Sequence, residues 1–379
     1  MKNQLTPNTH IWTADPLGND IAKSLQRIAN SDDVRYQVVM PDVHLAHDVC
    51  VGTAVATSEL IYPAAIGGDI GCGMAAIRVD ARADLIRDER AAVNLLSGLY
   101  KRVPVNRHGP ATAVEALPTE LASTPLSDMR LDKLKQRDGR VQFGTLGRGN
   151  HFLEFQRDQE DDLWVMVHGG SRAMGQAITT HHLQYGWLTS GGLAVINGFT
   201  AEGQRYLHDM AWAIGYAQHS RLSMLQAVEA LLQELFGVSL VASSLIDAHH
   251  NHVQRETHFG ADCWVHRKGV LSARQDEPGI IAGSMGTASF HVVGRGQPQS
   301  LCSSSHGAGR RWSRSETRRR VSERSLRQQM GSVWFDQRKG TLLCDEAPCA
   351  YKDIYKVMRA QRYLTRVKRE LHPQLIYKG

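Results

Sequence analysis

The chain has 379 residues, of which 42% are hydrophobic and 22% charged, a composition typical of a globular protein with a sizeable core. It contains no run of about 18 apolar residues and no signal-peptide pattern at its start, so we expect a cytoplasmic protein without a membrane span. A formal net charge of +6 suits a partner that carries phosphates, and six cysteines without close pairing indicate free thiols.

Two apolar runs predict strands that lead into polar or glycine-rich loops, where catalytic groups tend to lie. They are RYQVVMPDVH at residues 35–44 and LWVMVHGGS at residues 163–171. Between them, residues 103–140 combine prolines and small residues without a strict period. This pattern predicts a variable, loop-rich connection inside a single domain of residues 1–379.

Residues 200–236 carry apolar side chains at near-helical spacing, which predicts a long amphipathic helix, softly interrupted at Gly215. We expect its histidines, His208 and His219, at the surface or at the edge of the core rather than in a metal site. Strands together with this helix indicate the α+β class.

The segment AAIGGDIGCGMAA at residues 64–76 places Asp69 and Cys72 among four glycines. Glycines at this density let a backbone turn sharply and approach a ligand closely, which is of little use in a packed core. The segment therefore predicts a bound group beside Asp69 and Cys72.

Histidines beside glycine or polar residues recur in four other segments. These are GTLGRGNHFLEFQ, VMVHGGSRAMG, DAHHNHV and SSSHGAGRRWSRS. One such histidine alone is more often structural. A carboxylate, a thiolate and imidazoles from distant segments nevertheless form a mixed ligand set suited to Zn²⁺, Co²⁺ or Mn²⁺, and a thiolate can bridge two ions. Two such ions would clamp the oxygens of a transferring phosphoryl group.

Residues 309–329 form an arginine tract. Its eight members are Arg310, Arg311, Arg314, Arg318, Arg319, Arg320, Arg324 and Arg327. A solvated helix face and a nucleic-acid contact are both open interpretations of such a tract.

Ten segments, in order along the chain, resemble the signature blocks of the RtcB family of RNA-splicing ligases. They are MPDVH, GGDIGCG, GTLGRGNHFLE, VHGGSRAMG, HHN, HRKG, AGSMGTASF, SHGAGRRWSRS, EAPCAYKD and the terminal YKG. The resemblance implies an α+β domain in which mixed sheets and surrounding helices enclose a metal-lined cleft. It also implies a manganese- and GTP-dependent ligase that joins an RNA 3′-phosphate or 2′,3′-cyclic phosphate to a 5′-hydroxyl, in RNA repair or tRNA splicing.

The resemblance implies two Mn²⁺ ions. Asp69, Cys72 and His151 match the ligands of the first ion, and His168 and His250 match those of the second, with Cys72 bridging both. His250, rather than its neighbour His249, precedes the asparagine of the HHN block.

His306 matches the histidine that takes GMP from GTP before passing it to the RNA 3′-phosphate, and the 5′-hydroxyl then releases GMP. Arg172 and Arg310 match residues expected at phosphates, and Asp42 lies in a block expected near the incoming 5′ end. The positions that match GTP and GMP contacts are Asn150, His151, Phe152, Leu153, Glu154, His250, Asn251, Ala282, Gly283, Ser284, Met285, Ser289, His306, Gly307, Ala308, Gly309, Tyr351 and Lys378.

The chain departs from the family pattern at several positions, including Gly71 in place of an asparagine and Arg148 in place of a small residue. These departures, and a short chain, favour a divergent bacterial-type paralogue, for which nuclease-cut RNA is an alternative substrate to a spliced tRNA. Two rival functions stay open: a metal-dependent RNA cyclic phosphodiesterase that does not seal, and a non-catalytic RNA-binding paralogue. A helper protein is a further open partner.

Overall fold

The computed structural model of the chain describes residues 8–13, 15–109 and 113–379. Strands within these ranges are β1 (Thr9–Ile11), β2 (Val34–His44), β3 (Val51–Thr57), β4 (Leu60–Ile61), β5 (Gly73–Arg82), β6 (Phe152–Asp158), β7 (Asp162–Gly169), β8 (Trp187–Leu188), β9 (Ala194–Asn197), β10 (Leu240–His249), β11 (Asn251–His258), β12 (Ala261–Lys268), β13 (Val270–Ser272), β14 (Pro278–Ile281), β15 (Ser289–Gly294), β16 (Ser303–Ser305) and β17 (Thr365–Lys378).

Helices accompany these strands along the chain. They are α1 (Asn19–Ala29), α2 (Glu89–Arg102), α3 (Thr119–Ser123), α4 (Met129–Leu134), α5 (Arg140–Gln142), α6 (Ala173–Leu183), α7 (Ala201–Phe236), α8 (Arg314–Arg320), α9 (Glu323–Met330), α10 (Gly340–Leu343) and α11 (Ile354–Ala360). The α+β class is confirmed. Among the described residues, no helix combines the length and the apolar character needed to cross a membrane.

Two large sheets organise the molecule. One has seven strands in the order β10-β5-β7-β6-β17-β15-β14, and the other has five in the order β1-β2-β3-β12-β11. Central strands of the first sheet, such as β7, are buried along almost their whole length because both of their faces are covered. Side chains of α2 and α7 cover one face, and a smaller cluster around Met74 and Met166 covers the other.

The long helix α7 begins after Thr200, whose side chain accepts a hydrogen bond from the N–H of Gly203, and ends before Gly237 in the left-handed conformation. It continues through Gly215, so the predicted interruption there is wrong. A glycine in a helix costs about 1 kcal/mol, and the buried stripe along the helix outweighs that cost. His208 is exposed and His219 half-buried, as expected.

Residues 103–140 are more helical than the sequence indicates, since the described part includes α3, α4 and a π-helical turn at Lys135–Gly139. They pack on α7, where Trp212 donates its ring N–H to the carbonyl of Leu121 and Tyr216 donates its hydroxyl to that of Gly139. The periodicity was hidden because each helix is too short to show it. A single domain over residues 1–379 stays a prediction.

Candidate metal centre and nucleotide pocket

Strand register brings the predicted metal ligands to one end of the seven-stranded sheet. Strand β5 begins directly after Cys72, and β6 begins directly after His151. Near the end of β7, His168 lies opposite the first residue of β6 and the second residue of β5. Strand β10 ends beside the start of β5, so the next residue, His250, joins the same end.

The five side chains form two groups that share Cys72. In each group, Asp69, Cys72 and His151 or Cys72, His168 and His250, the ligand atoms lie within 4.8 Å of one another. The Sγ of Cys72 is 3.5 Å from Nε2 of His151 and 3.3 Å from Nε2 of His168. All six cysteines are free, so the Cys72 thiol is available as a ligand.

Hydrogen bonds orient two of the imidazoles for metal binding. The Nδ1–H of His151 donates to the carbonyl of Leu146 at 3.0 Å, and that of His168 donates to the carbonyl of Asn150 at 3.1 Å. With the proton held on Nδ1, each Nε2 presents its lone pair to the centre of the cluster. Nε2 of His168 also lies 3.4 Å from Nε2 of His250.

Electrostatics of the cluster fit bound cations. Burial lowers the pKa of His168 and of His250, so both imidazoles stay neutral, as ligands must be. Burial and the neighbouring Asp69 raise the pKa of the Cys72 thiol, so its thiolate needs a nearby positive charge. These donors, a carboxylate, a thiol and three imidazoles, are a set that divalent transition metals bind.

The glycines of residues 67–73 serve close backbone approach. A Cβ on Gly71 would lie 2.7 Å from the Cα of Ile214 in α7, and a Cβ on Gly73 would lie 2.5 Å from the carbonyl oxygen of Ala248. Gly71 also has a φ of 71°, in the left-handed region. Glycine at position 71, a departure from the family pattern, thus fits the close contact with α7.

A buried arginine that the sequence analysis missed ties the metal loops together. Arg221 of α7 donates from Nη1 to the carbonyls of Gly71 and Gly169, both at 3.0 Å. Its Nε lies 2.6 Å from Oδ1 of Asp247. Its burial could have been predicted from its position in the apolar stripe of the helix, four residues after Ala217 and three before Met224.

Beside the metal groups lies a cavity of about 190 Å³. Predicted residues that line it are Asn150, Phe152, Glu154, His168, Ala282, Gly283, Ser284, Met285, Ser289, His306, Gly307, Ala308, Gly309, Arg310, Tyr351 and Lys378. Additional lining residues, absent from the prediction, are His44, Met74, Arg314, Glu346 and Ile376.

Four residues predicted as nucleotide contacts do not line this cavity, and two of them, His151 and His250, belong to the metal groups. Leu153 is fully buried in the core cluster under the opposite face of the sheet, because side chains alternate along β6 and its neighbours Phe152 and Glu154 face the cavity. Asn251 instead supports the metal loop, since its Nδ2 donates to the carbonyl of Asp69 at 3.0 Å. Contact of these four residues with GTP stays a prediction.

Glu346 organises the polar wall of the cavity. Its Oε2 accepts from Nζ of Lys378 at 2.6 Å and from the hydroxyl of Tyr351 at 2.8 Å, and its Oε1 accepts from Nη1 of Arg310 at 3.1 Å. Burial opposes ionisation, but Lys378 and the arginines hold the pKa of Glu346 below its usual value. Glu346 lies in the EAPCAYKD block, yet only the ion pairs reveal its position.

Glu154 is a second buried carboxyl group in the cavity. Burial raises its pKa to about 8, although Gln156 and Lys378 act in the opposite direction. Near neutral pH this group is therefore mostly protonated.

His306 stands between the cavity and the metal groups. Its ring centroid is 4.6 Å from that of His250, and its Nδ1 is 2.8 Å from Oδ2 of Asp42. The Nδ1–H does not point straight at that oxygen, so the carboxylate lies beside Nδ1 without a linear hydrogen bond. Backbone N–H groups of His306 and Gly307 also donate to Oδ2 of Asp42, both at 3.3 Å.

Asp42 is fully buried beneath His306. Its place near an incoming RNA 5′ end stays a prediction. Burial alone would raise its pKa, but the contacts with His306 and neighbouring cations bring that pKa below the usual value. Gly309 permits the arrangement, since a Cβ there would lie 2.0 Å from the carbonyl oxygen of Asp42.

Arg172 and Arg310 both have partners within the protein. Nη2 of Arg172 donates to the carbonyls of Val105 and Asn106, and the residue does not line the cavity. Arg310 does line it, but its guanidinium is already paired with Glu346. Their roles at phosphates stay predictions.

The arginine tract is also partly internal. Arg314 and Arg318 pair with Asp345, and Arg320 pairs with Glu316. Five of the eight arginines of the tract, counting Arg310 and Arg327, therefore take part in ion pairs, so a uniformly solvated helix face does not describe it.

Comparisons with known proteins show the family of this chain. The family described as tRNA-splicing ligase RtcB matches residues 24–379. The RNA-splicing ligase RtcB1 of Escherichia coli is 36% identical over 397 residues, and RtcB of E. coli K12 is 35% identical over 399, with 97% of each chain covered in both cases. RtcB of Mycobacterium tuberculosis is 28% identical, covering 91% of this chain and 97% of its own. This chain belongs to the RtcB family.

Proposed function

We propose that the protein is an RNA ligase that uses GTP to join RNA 3′-phosphate or 2′,3′-cyclic phosphate ends to 5′-hydroxyl ends. The observation that carries the proposal is the place of His306, at the boundary between the nucleotide cavity and the two ligand groups that share Cys72. The E. coli relatives are named RNA-splicing ligases, which supports the same activity here.

In the proposed first step, His306 is the nucleophile. Asp42 beside Nδ1 favours the tautomer in which Nε2 carries a free lone pair. Nε2 forms a bond to the α-phosphorus of GTP while the bond from that phosphorus to pyrophosphate breaks. Two Mn²⁺ ions, held by Asp69, Cys72, His151, His168 and His250, would supply positive charge to the phosphate oxygens.

In the following steps GMP passes to the RNA 3′-phosphate, and the 5′-hydroxyl then attacks that phosphorus and releases GMP. A cyclic phosphate is first opened to a 3′-phosphate. The cavity beside His306 is proposed to hold the guanine nucleotide, with Tyr351, Lys378 and Glu346 as its rigid polar wall. We place the activity in the cytoplasm, in RNA repair or tRNA splicing.

A cyclic phosphodiesterase without sealing activity needs only the metal groups. It would have no use for the buried network of Glu346, Lys378, Tyr351 and Arg310, which supports a nucleotide pocket instead. A non-catalytic RNA-binding protein would need neither feature.

The test uses the substitution His306→Ala with purified protein, labelled GTP and Mn²⁺. We expect the variant to form no acid-labile GMP adduct and to leave 3′-phosphate ends unjoined, because the attacking nitrogen is gone. Metal content should remain, since His306 is not among the ligands. His208→Ala, an exposed histidine on α7, is the matched control and should behave as wild type.

A second substrate separates the steps. An RNA whose 3′-phosphate already carries GMP needs no adduct, so His306→Ala should still seal it to a 5′-hydroxyl strand, with some slowing if the imidazole positions the cap. Joining of an ordinary 3′-phosphate end by the variant would show that the nucleophile is another group. Wild-type protein that opens cyclic phosphates but neither forms the adduct nor seals the capped RNA would establish the phosphodiesterase instead.

A further inference from the structure

Helix α11 and the turn after it have one buried face and one exposed face. Ile354, Val357 and Leu364 are buried, at the spacing of a helix face packed on the core. Five residues of the other face are exposed, and we call them the α11 strip: Tyr355, Lys356, Arg359, Arg362 and Tyr363. The turn continues the helical path, since Arg362 donates its backbone N–H to the carbonyl of Arg359.

The cations of the α11 strip have no acidic partner. Within the part of the chain that the structure describes, no carboxylate lies within 4 Å of the charged atoms of Lys356, Arg359 or Arg362. Arginines of α8 differ, because Arg318 and Arg320 pair with Asp345 and Glu316. Arg311, Arg319 and Arg324 of the tract are likewise without a carboxylate partner in the described ranges, but the three cations of the α11 strip all lie along one helix and the turn that follows it.

Aromatic rings accompany these cations. Tyr363 is 58% exposed and Tyr355 is 43% exposed. The Arg362 guanidinium lies 4.7 Å from the centre of the Tyr363 ring and donates to its hydroxyl at 2.8 Å. Exposed rings beside unpaired cations are the combination with which proteins bind unpaired nucleotides, since the rings stack on bases and the cations contact phosphates.

The α11 strip follows a cavity-lining residue closely in the chain. Tyr351 lines that cavity, and the N–H of the next residue, Lys352, donates to the carbonyl of Gly309. Nζ of Lys352 is fixed by the carbonyl of Pro41 at 3.0 Å. From this anchor, α11 and its turn extend about 15 Å, the length of four or five stacked nucleotides at about 3.4 Å each.

We propose that the α11 strip binds the single-stranded RNA arm that leaves the active site, with Lys356, Arg359 and Arg362 at phosphates and Tyr363 stacked on a base. The inference rests on the proposed RNA ligase function, because it takes the same cavity as the position of the RNA end. Single-stranded RNA fits better than a duplex, whose bases are not open to stacking.

The experiment measures binding of two labelled single strands of about ten nucleotides, one with a 3′-phosphate and one with a 5′-hydroxyl, by fluorescence anisotropy at several salt concentrations. The strip variant carries Lys356→Gln, Arg359→Gln and Arg362→Gln. We expect affinity at least about tenfold weaker and a plot of log affinity against log salt that is shallower by about 2, since each lost phosphate contact removes about 0.7. Tyr363→Ala should weaken binding several-fold at an unchanged slope.

A matched control carries Arg90→Gln, Lys101→Gln and Lys133→Gln. These cations are also exposed and unpaired within the described ranges, and they lie on α2 and α4, which pack on other parts of the core. The control should bind RNA as wild type does. Loss confined to one of the two strands would support the proposal and assign the end that the strip holds.

Equal affinity and slope for the strip variant and the control would overturn the proposal. So would unchanged binding of both single strands together with weaker binding of a duplex RNA used as a third probe. The GMP adduct should form normally in the strip variant. If wild-type protein joins no RNA while the strip variant still loses binding, the ligase function fails and the binding surface stands. If the strip variant joins RNA normally and binds it as wild type does, the ligase function stands and the proposed binding surface fails.

Discussion

Cys72 is the one residue that both ligand groups share. The substitution Cys72→Ala leaves each prospective ion with two protein ligands of the described set, and we expect both ions to be lost together because so few ligands cannot compete with water. His168→Ala removes a ligand from one group only and should spare the first ion. Metal analysis of the dialysed proteins provides the measurement, and full occupancy in the Cys72 variant would contradict a shared ligand.

Glu154 leads to a prediction about protons. Burial raises its pKa to about 8, so at pH 7 the free protein carries a proton there. Guanine presents N–H donors, which favour the ionised carboxylate, so binding of GTP should release close to one proton at pH 7 and progressively fewer as the pH rises through 8.

Calorimetry of GTP binding in buffers with different ionisation enthalpies measures this release. The Glu154→Gln variant has no carboxyl proton to lose, so its binding of GTP should release no proton from this position, whatever its affinity for GTP. Equal binding enthalpy for the wild-type protein in all buffers at pH 7 would contradict the role of Glu154.

Single residues were predictable from the sequence where a motif names them. His306, Asp69 and Cys72 stand in such motifs, and the structure brings them to one site. Glu346 and Arg221 were not predictable in this way, because an isolated glutamate or arginine in a sequence does not reveal its partners. Their importance comes from burial and pairing, which depend on segments more than 20 residues away.

At the scale of elements, Arg221 makes α7 a support for the metal loops. Arg221→Met should lower the free energy of unfolding by roughly 3–5 kcal/mol, because the Asp247 carboxylate, whose side chain is only 9% exposed, is left without its partner. Urea unfolding of the metal-free proteins measures this change. Metal affinity should fall as well, since the carbonyls of Gly71 and Gly169 lose their shared donor.

The double variant Arg221→Met with Asp247→Leu is the control for a stranded charge. It should recover part of the stability, because no unpaired carboxylate remains. Metal affinity should stay low in the double variant, since the tie between the two loops is still missing. If the single variant were as stable as wild type, the ion pair of Arg221 and Asp247 would contribute nothing to the free energy of unfolding.

Elements were predictable in proportion to the length of their pattern. Residues 35–44 lie in strand β2 as expected, and residues 163–171 run from strand β7 into the loop after it. The periodicity of residues 200–236 corresponds to α7. The short helices of residues 119–142 escaped prediction because five or six residues give too few repeats of a helical period. Their stability comes from packing on α7, which the local sequence does not encode.

On the scale of the whole molecule, the site depends on strand register between distant segments. The antiparallel pairs of β5, β6, β7 and β10 bring the residues after or before each strand to the same end of the sheet. A pairing shifted by one residue would turn every side chain to the opposite face, so the motifs alone do not determine the site. The α+β class could be predicted, but the order of strands could not.

The position of Lys378 at the end of β17 affects when the nucleotide cavity can form during synthesis of the chain. Strand β17, which ends at this residue, pairs with β6 and completes the charged wall around Glu346. While the end of β17 is still being translated or is inside the ribosome, β6 lacks a neighbour and Glu346 lacks its ammonium partner. The metal ligands lie between residues 69 and 250, so in a nascent chain they can come together before the nucleotide cavity is complete. Pairing of β17 with β6, rather than formation of the metal centre, then sets the moment at which the polypeptide becomes competent to bind nucleotide.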